Sequence, residues 1–149
     1  LIKGLFNRQL AYAIETVSNI DLVNETVGFL HLKGGGWFDD VRTALQLAGY
    51  QYCELQSAAV WPEGDANIAL CTFHSAKGLE FDHVIMIGLA QQHAVYGVGP
   101  DDDRYENLRR LLAMGIGRAR NTVLLGTKPG EDLQALALAD QALYNEVVL

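Results

Sequence analysis

Thr72-Phe73-His74-Ser75-Ala76-Lys77-Gly78-Leu79-Glu80-Phe81 is the stretch on which the reading of this chain turns. It gathers a hydroxyl, an imidazole, an ammonium, a flexible glycine and a carboxylate into one short segment. The apolar run Ile68-Ala69-Leu70-Cys71 leads in, and Val84-Ile85-Met86-Ile87 leads out. Both runs have the length and composition of buried strands, so the polar group falls where one strand ends and the chain crosses to the next. In open α/β sheets ligands bind outside the carboxyl ends of the strands, and the polar group is expected at that edge.

Working outward, Val27 to Leu32 reads as a buried strand, Lys33-Gly34-Gly35-Gly36 as a tight turn, and Trp37 to Ala48 as a helix. Phe38, Val41, Ala44, Leu45 and Ala48 supply its apolar stripe, and Gly49 is placed to end it as the C′ residue. Gln51 to Leu55 is a further strand, which makes strand, helix and strand a βαβ crossover. A link from about Gln56 to Asn67, with Pro62, Gly64 and Asp65, turns the chain into the strand before Thr72. Leu10 to Ile20 has helical spacing through Leu10, Ala13, Ile14 and Val17. A helix from about Arg104 to Gly117 carries Tyr105, Leu108, Leu111, Leu112 and Ile116, and Thr122 to Leu125 is the strand after it. A last helix is predicted from Glu131 to Tyr144 through Leu133, Leu136, Ala137 and Leu143. The pattern is that of one α/β domain.

The bulk numbers narrow the classes. At 149 residues, half of them hydrophobic, the chain suits one well-packed domain. No apolar run approaches the ~20 residues of a membrane span. The chain opens on Leu1-Ile2-Lys3-Gly4 without a signal-peptide pattern, so it reads as a fragment of a longer protein. Cys53 and Cys71 are isolated and read as free buried thiols of a cytoplasmic protein. The net charge of −7 disfavours strong nucleic-acid binding by this chain alone. The charge is uneven, however, because five of the 11 basic residues fall between Arg104 and Arg120. A locally basic edge on an acidic domain suits a nucleotide or a strand held at one interface.

Thr72 to Phe81 closely resembles the fifth motif of UvrD/Rep-type superfamily 1 DNA helicases, T-x-H-x-A-K-G-L-E-F, in every fixed letter. Glu106 to Arg120 resembles the sixth motif, E-E-E-R-R-L-L-Y-V-A-x-T-R-A-[RK], in order, spacing and the apolar strand that follows. The opening strand resembles A-I-L-Y-R of the same family, with Lys33 where Arg is usual. The resemblance implies an α/β, RecA-like three-layer domain with a mainly parallel sheet flanked by helices. It also implies that residues 1–149 are a single C-terminal RecA-like domain of an ATP-dependent helicase. The short link after Leu55 stands where large family members carry an inserted accessory subdomain.

By the same resemblance, Arg118 is the arginine finger that reaches the γ-phosphate of ATP held on a partner domain. An unbroken helix would set it, seven residues after Leu111, within ~20° of that core-facing position. A guanidinium there needs a partner, and a helix-end Arg favoured by the dipole is its structural alternative. Glu80 is implied as a ribose acceptor, with Gly78 allowing close backbone approach; its alternative is a cap on a short helix beginning near Ser75. Thr72 and His74, which alternate to one side of the strand, are implied as contacts to the backbone of single-stranded DNA. Ser75 and Lys77 add to them, and Lys77 could instead pair with Glu80 at i+3. Arg109 and Arg110 match the paired arginines of the family, at least one of them read as solvated or salt-bridging; Arg120 reads similarly, and Trp37 and Trp61 read as packing residues.

The chain has no G-x-x-x-x-G-K-[ST] loop and no acidic box for Mg²⁺, which the resemblance assigns to an N-terminal RecA-like domain. Alone, the chain should hydrolyse nothing. Ala113 stands where the sixth motif has Tyr, and Gly117 where it has Thr. The glycines at 115 and 117 each cost a helix roughly 1 kcal/mol against Ala. Asp101 to Asp103 is a helix N-terminal run rather than a metal site. The rival reading is a non-catalytic interaction module derived from a helicase; a helicase–nuclease fusion finds no nuclease carboxylate cluster here.

Overall fold

Alternation of inward side chains along the strands builds the whole domain. In the computed structural model, which describes residues 1–32, 36–55, 61, 66–89, 103–130 and 140–149 (without the side chains of 103–105), seven strands form one sheet. They are β1 Ile2–Lys3, β2 Val27–His31, β3 Cys53–Leu55, β4 Ile68–Thr72, β5 Phe81–Leu89, β6 Ala119–Thr127 and β7 Val147–Val148. Their order is β3-β4-β2-β5-β6-β1-β7, and every pairing is parallel. The helices are α1 Phe6–Ser18, α2 Gly36–Leu47 and α3 Asp103–Ile116.

Odd and even positions sort the strands onto two cores. Val27, Phe29, Ile68, Leu70, Ile85 and Ile87 face α1 and α2, whose Ala13, Val17, Val41 and Leu45 are buried against them. Leu30, Ala69, Cys71, Val84 and Met86 face the other way, toward Phe73, Ala76, Leu79, Leu108 and Leu112. The result is helix, sheet and helix in three layers with a parallel sheet, as the resemblance implied. Both faces of a parallel sheet must be covered, which is why its strands read as nearly continuous apolar runs.

Element boundaries follow local chemistry. Gly49 at φ +78° ends α2, and Tyr50 N–H donates to Leu45 O at 2.9 Å across it, closing a Schellman motif. β3 returns not beside β2 but one strand further out, because β4 lies between them. Gln9, on the apolar side of α1, is 1% exposed and fully engaged: it donates to Gly4 O at 2.6 Å and accepts from Gly88 N at 2.8 Å. A buried amide with both ends satisfied behaves as part of the core.

Some expectations are corrected. The stripe of α3 runs through Leu108, Leu112 and Gly115, and Ile116 is 39% exposed. The end of the predicted Glu131–Tyr144 helix is a single 3-10 turn, Gln141–Leu143, capped by Asp140, and Leu143 is 84% exposed. The earlier part of that helix, the Lys33–Gly35 turn, most of the 56–67 link and Asp101 and Asp102 lie outside the described residues.

Candidate functional site

The Thr72–Phe81 stretch joins β4 to β5 through an amphipathic helical turn laid on one face of the sheet. Phe73, Ala76, Leu79 and Phe81 are buried, while His74, Lys77, Gly78 and Glu80 are exposed. That spacing forces the polar residues outward as a consequence of the apolar ones packing inward. Thr72 starts the turn: its Oγ1 accepts from Ser75 N at 3.1 Å and shares a hydrogen bond with Ser75 Oγ at 2.9 Å. Its carbonyl accepts from Ala76 N at 3.0 Å. Thr72 is therefore the N-cap of the segment, and the capping alternative considered for Glu80 is overturned. Gly78 ends the turn at φ +88°, a backbone conformation that L side chains adopt only with strain.

Thr72 and His74 do not share a side. Thr72 is half-buried with its hydroxyl engaged, whereas His74 is exposed at the next turn position. Strand alternation stops at Thr72, where β4 ends and the helical turn begins.

At the other end of the segment, residues some forty positions apart meet. Phe81 N donates to Arg118 O at 2.8 Å, and Phe81 is the register partner of Ala119. The Arg118 guanidinium, half-buried, reaches back through Nη1 to Leu79 O at 3.4 Å, and its buried Nε has no hydrogen-bond partner among the described residues. A buried guanidinium nitrogen left in this state is costly unless another acceptor arrives. α3 stops at Ile116, so Arg118 lies in the turn after the helix, rather than on the helical face counted from Leu111. Glu80 pairs with Arg120, whose Nε and Nη2 both donate to Oε2, at 3.1 and 3.0 Å. The alternative Lys77–Glu80 pair gives way to this one.

The candidate residues thus divide between two ends of the sheet. Thr72 closes β4 level with His31, the last residue of β2, so Thr72 to Ser75 sit at the carboxyl end. Glu80 and Arg118 immediately precede the first residues of β5 and β6, at the amino end. The expectation of one polar group at the carboxyl edge holds only for its first half. Five residues of β2 separate the ends by roughly 15 Å.

Around the amino end lies a polar belt that sequence reasoning did not find. Asp82 accepts from Thr26 N and Thr26 Oγ1, both at 2.8 Å, and these bonds hold its carboxyl below the usual range. His83 Nδ1 shares a hydrogen bond with Thr122 Oγ1 at 2.7 Å, and its Nε2 lies 3.4 Å from Glu25. The partners come from β5, β6 and the loop before β2, so no local spacing announces them. Arg110 pairs with Glu106 one turn back in α3. Trp37 donates to Ile87 O at 3.0 Å, and Trp61 packs edge-on against Phe81 with centroids 5.7 Å apart. Both tryptophans are packing residues.

Chemically, a guanidinium such as that of Arg118 can donate to a phosphate oxygen, and a carboxylate such as that of Glu80 can accept from a sugar hydroxyl. For Mg²⁺ the described residues offer no grouping of three or more His, Cys, Asp or Glu.

Comparison with known proteins bears on the family and the fold. The sequence model of the UvrD-like helicase C-terminal domain matches residues 42–128, from α2 to the end of β6. The ATP-dependent DNA helicase UvrD2 of Mycobacterium tuberculosis is 42% identical over 86 residues, 53% of this chain and 12% of its own length. The ATP-dependent DNA helicase Rep of Escherichia coli is 38% identical over 54 residues, 36% of this chain and 8% of its own. The chain therefore spans a small part of the relatives it matches. Among solved structures, the C-terminal domain of a possible DNA helicase from Lactobacillus plantarum superposes with a TM-score of 0.71 at 23% identity, covering 97% of this chain and 81% of that one. That likeness establishes the shared fold.

Proposed function

Because this chain belongs to the family of UvrD-like helicase C-terminal domains, we propose that residues 1–149 are one motor domain of an ATP-dependent DNA helicase or translocase. Its partner is an N-terminal RecA-like domain of the same protein, which supplies the phosphate-binding loop and the Mg²⁺ ligands. The chain alone is then inactive. The observation that carries this reading is Arg118 at the amino end of the sheet. Its guanidinium is half-buried, one nitrogen lacks a partner among the described residues, and Leu79, next to Glu80, holds its tip.

In this reading Arg118 meets the γ-phosphate across the cleft between domains and stabilises the charge that develops during transfer. Glu80 accepts a hydrogen bond from the ribose, and the left-handed turn at Gly78 brings the backbone of the segment close to the nucleotide. At the opposite end, His74 presents an exposed imidazole to the DNA backbone, with Thr72 and Ser75 beside it and the exposed Lys77 ammonium further along the turn. Thr72 acts chiefly by fixing the turn, since its hydroxyl already caps it. That engagement is also what a purely structural remnant would show, so the interaction-module reading keeps one observation in its favour.

The test is single-strand-stimulated ATP hydrolysis by the full-length protein, wild type beside Arg118→Ala. Loss of an arginine finger lowers turnover by about a thousand-fold or more while ATP still binds. Equal rates in the two proteins would make Arg118 structural and move the interaction module ahead.

A further inference from the structure

We propose that Arg120 is a positioning residue for the nucleotide: it holds the Glu80 carboxylate by one oxygen and leaves the other aimed outward as an acceptor. The proposal rests on the reading of Glu80 as the ribose contact. Both donors of Arg120 converge on Oε2, and among the described residues Oε1 accepts nothing. A bidentate fork would have used both oxygens; this arrangement spends one and frees one.

The backbones beneath the pair are fixed. Phe81 and Ala119, one residue beyond Glu80 and one before Arg120, are partners in the β5–β6 ladder, and Phe81 N is bonded to Arg118 O at 2.8 Å. The two side chains therefore start from anchored positions on neighbouring strands. Asp82, the other carboxylate that Arg120 influences, is already committed to Thr26. Glu80 is thus the carboxylate available for Arg120 to orient.

Charge gives the arrangement a second purpose. A bare carboxylate beside a polyanionic triphosphate repels it, and an adjacent guanidinium offsets that repulsion without occupying the free oxygen. The side chains are 60% and 56% exposed, so the pair contributes little to folding. Removing it is expected to show in nucleotide affinity instead.

The experiment uses the full-length protein and compares the ATP dependence of single-strand-stimulated hydrolysis for wild type, Arg120→Ala, Arg120→Lys, Glu80→Ala and the Glu80→Ala/Arg120→Ala double variant. Arg120→Ala should raise KM for ATP about three- to five-fold, the scale of one exposed pair, and raise it more than it lowers kcat. Arg120→Lys should recover at least half of that change, and the double variant should be no worse than Glu80→Ala alone. If Glu80→Ala raises KM and Arg120→Ala does not, the pair is an inert surface contact and only the positioning proposal falls. Additive effects would also overturn it, because Arg120 would then touch the nucleotide on its own account. If Glu80→Ala leaves KM unchanged, the ribose reading fails and takes this proposal with it.

Discussion

Two glycines near the end of α3 look alike in the sequence and should behave oppositely when replaced. A Cβ at Gly115 would lie 2.8 Å from Met86 Sδ and 3.1 Å from Phe73 Cε1, and both side chains are 0% exposed. A Cβ at Gly117 would meet only Ala113 O at 3.2 Å and Met114 O at 3.7 Å, and the residue is exposed. Replacing a helical glycine by alanine gains roughly 0.5–1 kcal/mol of helix stability. Forcing a methyl into a packed core costs about 1–3 kcal/mol, because Met86 and Phe73 must leave their positions together. At Gly115 the clash wins, and Gly115→Ala should be destabilised by about 1 kcal/mol. At Gly117, in the turn beyond the helix, the balance is near zero or slightly favourable. The gap of about 1–2 kcal/mol corresponds to a separation of melting temperatures of roughly 3–6 °C for a chain of this size. Urea unfolding of the 149-residue chain, followed by tryptophan fluorescence, measures it directly. If Gly115→Ala proves as stable as Gly117→Ala, the close approach of α3 to Phe73 does not constrain the helix.

Asp82→Asn should lower stability by about 1 kcal/mol at neutral pH through weakening of the two Thr26 bonds. Because the folded carboxyl lies below its ordinary value of 3.8, the wild-type contribution is complete above that pH and disappears as pH falls through the lower folded value. Chemical denaturation between neutrality and about pH 3 should show the wild type losing its advantage over Asp82→Asn in that window, and a constant difference would refute the assignment. Burial pushes the Cys71 thiol up to about 12, so it should resist a disulfide reagent at pH 8 in the folded chain and react at once in denaturant. Half-buried Cys53, also raised, should label first; prompt modification of Cys71 in the native state would contradict its packing.

Much of the fold was legible because parallel strands buried on both faces write themselves as apolar runs. Ile68–Thr72 and the core of β5 were located within a residue or two, and Gly49 marked the end of α2 by its conformation. The seventh strand and the insertion of β4 between β2 and β3 were not legible, since short edge pairing and strand order depend on contacts far apart in sequence. The site divides the same way. Motif letters named Glu80 and Arg118, but helical spacing offered only Lys77 as an alternative partner for Glu80. A strand pairing supplied Arg120 instead. The buried Gln9 has no sequence signature at all: a glutamine on a helix is ordinarily solvated, and only the two carbonyl and amide partners brought near by β1 and β5 make its burial favourable.

The packing also bears on how the two ends of the sheet would act together. Phe73, Ala76 and Leu79 anchor the Thr72–Glu80 turn to the same core that Leu108 and Leu112 of α3 enter, and Gly115 lets α3 close on Phe73. α3 in turn delivers the chain to Arg118. The proposed DNA-contacting residues and the proposed nucleotide-contacting residues are therefore carried by two segments that share one core and meet where Gly115 approaches Phe73. A close-packed interior of this kind has little internal compliance. A pull on Arg118 or Glu80 at the amino end would accordingly move Thr72 and His74 with it, and the motion required of a translocating motor would fall at the boundary with a partner domain rather than within this one. Gly115→Ala would then do more than lower stability. By wedging α3 away from Phe73 it would loosen that shared core, so single-strand stimulation of hydrolysis in the full-length protein should fall further than unstimulated hydrolysis. A parallel fall in both rates would mean that the two ends are coupled by some other route.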